Sequence, residues 1–505
     1  MDPKKKLLLT KLFCVITAFF TLLFTSRSSF LYITNNWNDV NSYFTMGKGM
    51  MNGLVIYRDL YDQKGPYLYL LNGLAYLISR KSFLGIFLFE VAAATVSLYY
   101  IFKTAAIFCK EKTAIILLPV VSALMYSSLS FYQGGAAEEY CLPLMICSLY
   151  GLLRISEGRA PKDGEEEDGD YPEKKMIRKG AFLIGIFAGI TALVKYTLLG
   201  FYFGLVLAAF LFMIFAKEKL RDMAGYLLSF AVGAVIPFIP WLICFGINDA
   251  LDDWYRCYVY NNIFHYSALS EHAGNLMGRL YELAKYGYWL VRDNIGYFIL
   301  ILAGFAGLLF GKGNIIRKLF LPFIFAATFF VIFFGGNTLP YYSIPLMAFC
   351  GAGAGAIGKL IDLPVREWKP AVFRILLPVV LVLSVVFAMR HCISFDYLKQ
   401  SREDFWLMKF RDIVMEEKDP TLLNVGGVDG GLYTVTGIVP TCEYFQTNGI
   451  DLPVMFEEQM NYIREGRTTF ILVCNHKFEH IDLHYDQVAE ASYEGVNFYL
   501  YKKVR

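Results

Sequence analysis

Long runs of apolar residues with few charges constrain this chain more than any other feature. Eleven such segments lie at roughly 7–26, 83–102, 113–131, 139–155, 180–195, 197–216, 223–247, 295–311, 318–335, 341–358 and 371–390. Each is close to the ~20 apolar residues that a helix needs to cross a bilayer. Inside lipid the backbone must satisfy its own hydrogen bonds, so these segments are expected to be helices. Of the 505 residues 18% are charged, below the ~25% usual for soluble domains, and the deficit is concentrated in these runs. The expected fold class is therefore a polytopic α-helical membrane protein. A net charge of +3 gives no basis for a nucleic-acid partner. The ten Cys contain no CxxC pair, which leaves neither a zinc site nor a disulfide framework to expect. The N-terminal "MDPKKKLLLTKLFCVITAFFTLLF" lacks a following small-residue cleavage site and reads as a retained first span.

Charge asymmetry orients the spans. The stretch 67–79, "YLYLLNGLAYLIS", is apolar but only about 13 residues long, and whether it crosses decides the side of every later loop. If it lies in the interface and Met1 is inside, the inner loops hold 24 Lys and Arg and the longer outer segments before residue 391 hold 11. If it crosses, these counts exchange, against the rule that Lys and Arg gather in cytoplasmic loops. The expected arrangement has a cytoplasmic N-terminus, a first outer loop over 32–82, a long outer loop over 248–294 and an extracytoplasmic C-terminal region. Two domains follow: a membrane domain, 1–390, and a small α/β domain, 391–505. In the latter, "TLLNVGG", "TTFILVC" and "VNFYLYKK" read as strands, and "FWLMKFRDIVMEE" and "LPVMFEEQMNYIREG" as helices. The acidic "DGEEEDGDYPEKK" at 163–175 reads as a solvated cytoplasmic loop.

The first outer loop, "NNWNDVNSYFTMGKGMMNGLVIYRDLYDQKGPYLYLL", is where the chemistry concentrates. Charged groups beside a bilayer are costly unless paired or wet. A solvated loop would explain each acidic residue singly. Interfacial anchoring would explain Tyr57, Tyr61, Tyr67 and Tyr69. The order is more specific. Asp39 comes soon after a span, followed by Tyr43, Gly47, Gly53, the turn Tyr57-Arg58-Asp59, and Lys64-Gly65-Pro66.

This order resembles the first outer loop of GT-C fold membrane glycosyltransferases, in the group of aminoarabinose transferases, protein O-mannosyltransferases and RgtA-like enzymes (glycosyltransferase 39-like). The resemblance extends to the helix count, "AGITALVKYTLLG" around Lys195, Leu339-Pro340-Tyr341-Tyr342 before a late span, and the outer C-terminal domain. It implies a membrane enzyme that moves a sugar from a polyprenyl-phosphate donor to an acceptor hydroxyl outside the cytoplasm. By resemblance Asp39 is the general base that takes the acceptor proton. Lys64, then Arg58, are the cations that stabilise the leaving lipid phosphate. Glu138, opening a span after Gly134-Gly135, is implied to face the loop Asp, with Glu139 the alternative. A helix-terminal charge would explain either. Lys195 is a further phosphate candidate, with a snorkelling lysine as the other reading. Asp59, Glu139, Tyr57, Tyr341 and Tyr342 are weaker expectations for the substrate pocket. Where some relatives carry an acidic metal ligand, Gln63 stands here. No metal ligand set is expected, and a divalent cation stays an open alternative. In the loop 248–294, Arg256, Asn262, His265 and His272 are the polar residues of note. A secondary transporter or flippase is the competing class, but transporters place their polar residues at broken helices near the midplane.

Overall fold

The computed structural model describes residues 2–158, 174–265, 275–311, 315–334, 338–365, 367–447, 452–475, 481 and 484–504. Its contacts group into two compact units. The first comprises Met1–Ser26, Phe89–Ile239 and Glu271–Phe395, and the second Arg27–Leu88, Pro240–Ser270 and Asp396–Arg505. The C-terminal α/β region clusters with the first outer loop and part of the long loop.

The first unit is helical. Helices occupy the positions of all eleven expected spans, from Pro3–Thr25 to Pro370–His391. Among the described residues six helices are long and apolar enough to cross a membrane, or seven if Leu276–Asp293 and Ile295–Leu309, bent by 106°, form one broken span. Glu111–Tyr126, with 16 residues, and Ile295–Leu309, with 15, are short when taken singly. Leu84–Phe108, with 25 residues at 1.5 Å each, is ample for a ~30 Å hydrocarbon layer. The chain is thus a multi-pass membrane protein. The stretch expected to lie in the interface is a helix, Pro66–Ile78, of 13 residues.

Lipid provides little hydrophobic force between helices, so close backbone approach has to hold them together. Lys174–Ala192 packs on Leu220–Val235 through small residues spaced four apart. A Cβ added at Gly185 would collide with the carbonyl oxygen of Phe230, and one at Gly189 with that of Ala234. These glycines, inside an apolar run, are there to admit a neighbouring backbone.

The second unit carries a four-stranded sheet, β1 (Leu422–Val425), β2 (Phe470–Cys474), β3 (Tyr485–Tyr493) and β4 (Val496–Lys503), in the order β1-β2-β4-β3. β1 and β2 are parallel, and the other pairs are antiparallel. β1 and β2 are buried along their whole length, which is why they read as continuous apolar runs. β3, "YDQVAEASY", escaped the sequence reading. It is an edge strand whose exposed residues are polar apart from Val488, and its identity comes from the hairpin with β4. Helices Trp406–Met415 and Pro453–Arg464 lie where the sequence placed them.

Replacing Gly185 with Leu is expected to destabilise the first unit by about 1–3 kcal/mol, because overpacking here meets backbone rather than a movable side chain. The check is the thermal midpoint of the detergent-solubilised protein. A midpoint equal to that of the unmodified chain would contradict the close helix crossing.

Candidate functional site

In the second unit the first outer loop folds as two helices, Asn38–Met51 and Pro66–Ile78, joined by a compact turn. Asp39 lies half-buried in the first turn of the former, and its Oδ2 accepts the Tyr43 hydroxyl at 3.0 Å. Lys64, also half-buried, carries its Nζ 6.0 Å from the centroid of the same Tyr43 ring. Gly65 precedes Pro66, the first residue of the second helix, so the turn ends where proline starts a helix at no hydrogen-bond cost. Beneath lies Asp62, fully buried, accepting the Tyr69 hydroxyl at 2.8 Å. Burial pushes the Asp62 carboxyl up, Lys64 draws it down, and Asp39 raises it. The two residues that the sequence singled out, 25 positions apart, thus share one tyrosine and one buried carboxyl.

The turn is held under strain. Tyr57 adopts φ 73°, a left-handed backbone that a bulky residue rarely takes. Its hydroxyl donates to the Lys64 carbonyl at 2.6 Å, and the Lys64 N–H donates to the Tyr69 hydroxyl at 2.8 Å. Tyr57, Tyr61 and Tyr69 are buried, so they are structural members of the loop rather than interfacial anchors. From the long loop comes a π-helical segment, Tyr255–His265, a rare geometry that often marks functional positions. Asn262 donates to the Gln63 carbonyl at 2.8 Å and Asn261 to the Tyr61 hydroxyl at 3.2 Å. The C-terminal region closes the other side: the Tyr61 N–H donates to the Glu443 carbonyl at 2.9 Å.

A buried polar seam fixes the helix that bears Asp39. Thr45 donates to Asp429 Oδ2 at 2.8 Å, Lys48 Nζ to the Tyr433 carbonyl at 2.6 Å, Thr434 to Asn41 Oδ1 at 2.8 Å, and Gln446 to Ser42 Oγ at 2.6 Å. Asn41, Thr45 and Lys48 lie one and two turns apart on one helix face. Burial pushes the Lys48 amine down to about 7, and Asp429 opposes the shift. The Asp429 carboxyl moves up for the same reason, with the Gly431 N–H, Thr45 and Lys48 opposing. Sequence reasoning passed over this seam. A polar face on a loop helix reads as solvated until its partners, almost 400 positions away, are known.

In the first unit, Glu138 and Lys195 meet. The helix Ala137–Gly158 starts just after Gly134 and Gly135, both with left-handed φ (83° and 87°), which turn the chain into it. Glu138 Oε1 is ion-paired with Lys195 Nζ, the two side chains being 1% and 11% exposed. Lys195 follows the helix Lys174–Ala192 and stands 3.4 Å above the Tyr342 ring and 5.7 Å from that of Tyr341. A snorkelling lysine would reach for water, whereas this one sits on a buried carboxylate and an aromatic face. Tyr341 and Tyr342 are buried in the 3₁₀ stretch Pro340–Phe349. Glu139 takes the helix-terminal role, its Oε2 accepting the Gly135 N–H at 2.9 Å. Glu138 Oε2 and Glu139 Oε1 are buried without a hydrogen-bond partner. Glu90, inside an expected span and given no role there, is fully buried and accepts the Ser26 hydroxyl at 2.7 Å.

Other expected residues are committed elsewhere. Arg58 is exposed and forks onto Asp59, with a further bond to the Asn248 carbonyl at 2.7 Å. Asp59 also accepts the Val55 N–H at 2.7 Å, and the Arg58 guanidinium holds its carboxyl below the usual range. Arg256 pairs with Asp253 at 2.7 Å. His265 is exposed, and His272 lies outside the described residues. Among the described residues no three His, Cys, Asp or Glu side chains are grouped as a metal ion requires.

Lys48→Met removes the donor to the buried Tyr433 carbonyl and the cation near Asp429, and is expected to cost about 1–3 kcal/mol of stability. The double variant with Asp429→Asn should recover a large part of it. A double-mutant cycle on thermal unfolding measures the coupling, and additive losses would show that the two groups do not interact.

Comparison with known proteins supports the fold. Residues 3–161, less than half of the chain, match the family described as "Putative competence-induced protein Ccs4 N-terminal domain". No curated protein matches the chain in sequence. Among solved structures, ArnT from Cupriavidus metallidurans bound to undecaprenyl phosphate aligns over 99% of this chain and 98% of its own, at a TM-score of 0.63 and 12% identity. The same protein in the apo state aligns over 100% and 99%, at a TM-score of 0.61 and 12% identity. The chain therefore has a GT-C-like glycosyltransferase fold.

Proposed function

We propose that the protein is a membrane glycosyltransferase that moves a sugar from a polyprenyl-phosphate-linked donor to an acceptor hydroxyl at the outer face of the cytoplasmic membrane. The N-terminus is then cytoplasmic and the C-terminal region outside. The observation that carries the reading is the grouping of Asp39, Lys64 and Tyr43 over buried Asp62 in one braced loop. The fold shared with ArnT, crystallised with undecaprenyl phosphate, supports the donor class.

The reaction assigns each group a task. The acceptor oxygen bonds to the anomeric carbon as the bond from that carbon to the phosphate oxygen breaks. Its proton passes to the Asp39 carboxylate. The bonding electrons leave with the polyprenyl phosphate, whose growing charge Lys64 stabilises more in the transition state than before it. Tyr43 orients the carboxylate through its hydroxyl, and Tyr57 and Tyr69 set the height of Lys64. A single displacement with no protein nucleophile inverts the anomeric centre. In the first unit, Lys195 is by resemblance a further cation for a phosphate, and Glu138 Oε2 has no hydrogen-bond partner among the described residues.

Asp39→Asn is expected to lower transfer by about 10²- to 10⁴-fold, the contribution of general base catalysis. Lys64→Met should cost about 10²- to 10³-fold. Mass spectrometry of envelope glycans from cells lacking the gene and complemented with each variant reads both. If Asp39→Asn restores the wild-type glycan pattern, the reading fails. Flux of a small substrate in liposomes without sugar transfer would point to a transporter.

Lys195→Met should raise the donor KM at least tenfold and also destabilise the fold by leaving Glu138 unpaired, about 3–5 kcal/mol. The double variant with Glu138→Gln should regain stability without regaining donor affinity. Recovery of both together would reduce the pair to a structural bridge.

A further inference from the structure

Away from the residues assigned to transfer, the first unit contains an apolar cavity of about 130 Å³ among the helices Ala137–Gly158, Lys174–Ala192, Leu199–Phe215 and Leu220–Val235. Ile177, Ala181, Leu205, Ala209, Met223 and Phe230 are among its walls. Cavities of this size lined by carbon stay dry and take small apolar groups. The cavity runs from mid-helix positions such as Leu205 and Phe230 to the end turns, where Ile177 and Met223 lie within four residues of the starts of their helices.

The same turns carry a dense positive charge. Lys174, Lys175, Arg178 and Lys179 stand at the start of one helix, and Lys217, Lys219 and Arg221 lead into another. Against these seven stand Glu218 and Asp222, and Asp222 is already ion-paired with Lys174. Arg178, Lys219 and Arg221 are exposed, and the Arg178 guanidinium lies along Gly225 of the neighbouring helix. Cationic and apolar residues interleave: Arg178 follows Ile177, and Arg221 stands two residues before Met223.

We propose that this is a binding site for an anionic phospholipid of the leaflet that these helix ends face. The headgroup phosphate sits on Arg178 and Lys219, and part of one acyl chain fills the cavity. A zwitterionic lipid would bring its own cation to a rim of net positive charge, so the rim selects for an anionic headgroup. The proposal rests on the membrane topology and not on the glycosyl-transfer chemistry.

The test uses the purified full-length protein in micelles containing phosphatidylglycerol or phosphatidylcholine, with native mass spectrometry to count retained lipid. Phosphatidylglycerol should be retained in preference to phosphatidylcholine. Arg178→Gln with Lys219→Gln should weaken retention about 25-fold, roughly fivefold for each cation. Both residues are exposed, so the fold should persist. Lys409→Gln with Lys418→Gln, the same charge change elsewhere, should leave retention unaltered. Ala181→Trp should reduce retention with the rim intact. Equal retention of both lipids, or wild-type retention by the rim variant, would overturn the proposal. So would glycerol phosphate binding as tightly as the lipid. A preference emerging only after Asp163, Glu165, Glu166, Glu167, Asp168 and Asp170 are neutralised would assign the rim to that acidic run and likewise overturn it.

Discussion

The buried contact between the helix Asn38–Met51 and the loop around Asp429 governs the second unit. Lys48, Asp429, Thr45, Asn41 and Thr434 bury charge and hydrogen-bonding capacity that apolar side chains would have buried at less cost. What such a seam provides is a single solution: each donor has its acceptor in only one register. A helix held by apolar contacts alone can slide or rotate by a fraction of a turn. Catalytic geometry does not tolerate that, because a displacement of about 1 Å can cost a hundredfold in rate. The C-terminal region thus acquires a physical role as the counterpart that fixes the orientation of the helix bearing Asp39.

The same logic recurs wherever charge is buried in this protein. Lys195 is sandwiched between Glu138 and Tyr342, and Asp62 lies between Tyr69 and the field of Lys64. Each carboxyl is paired or hydrogen-bonded before it is buried, as low polarity demands. Among the described residues the carboxylate exceptions are single atoms, Glu138 Oε2, Glu139 Oε1 and Glu443 Oε1, buried without a hydrogen-bond partner. Unsatisfied acceptors in a well-paired setting are the positions at which a water or another donor would complete the pattern. The strained backbone of Tyr57 belongs to the same account. It persists because its hydroxyl, its N–H and the π-helical segment all hold it in place.

Much of the architecture could be read from the chain. Apolar runs separated by charge gave helices at the right places, and apolar strands bounded by glycine gave β1, β2 and β4. The edge strand β3 did not register because its alternation is polar and weak, and its pairing with β4 rather than its own composition makes it a strand. The number of crossings was legible only in part, because helices of 15 or 16 residues become spans, half-spans or interfacial segments according to their neighbours.

At the candidate site the sequence alone singled out the residues on which the proposed chemistry rests: Asp39 and Lys64 in one loop, Glu138 at a helix start, and Lys195 at a helix break. Residue type and order along the chain suffice to single them out, although a solvated loop, a helix-terminal charge or a snorkelling lysine would explain each one taken alone. Only the tertiary structure decided which of them meet. It joined Lys195 to Glu138 and Tyr342, turned Arg58 onto Asp59, gave Glu139 the helix end, and recruited Asp429 to Lys48. Those pairings depend on distances between residues up to nearly 400 positions apart. No local pattern encodes such distances, because they are set by how whole helices pack.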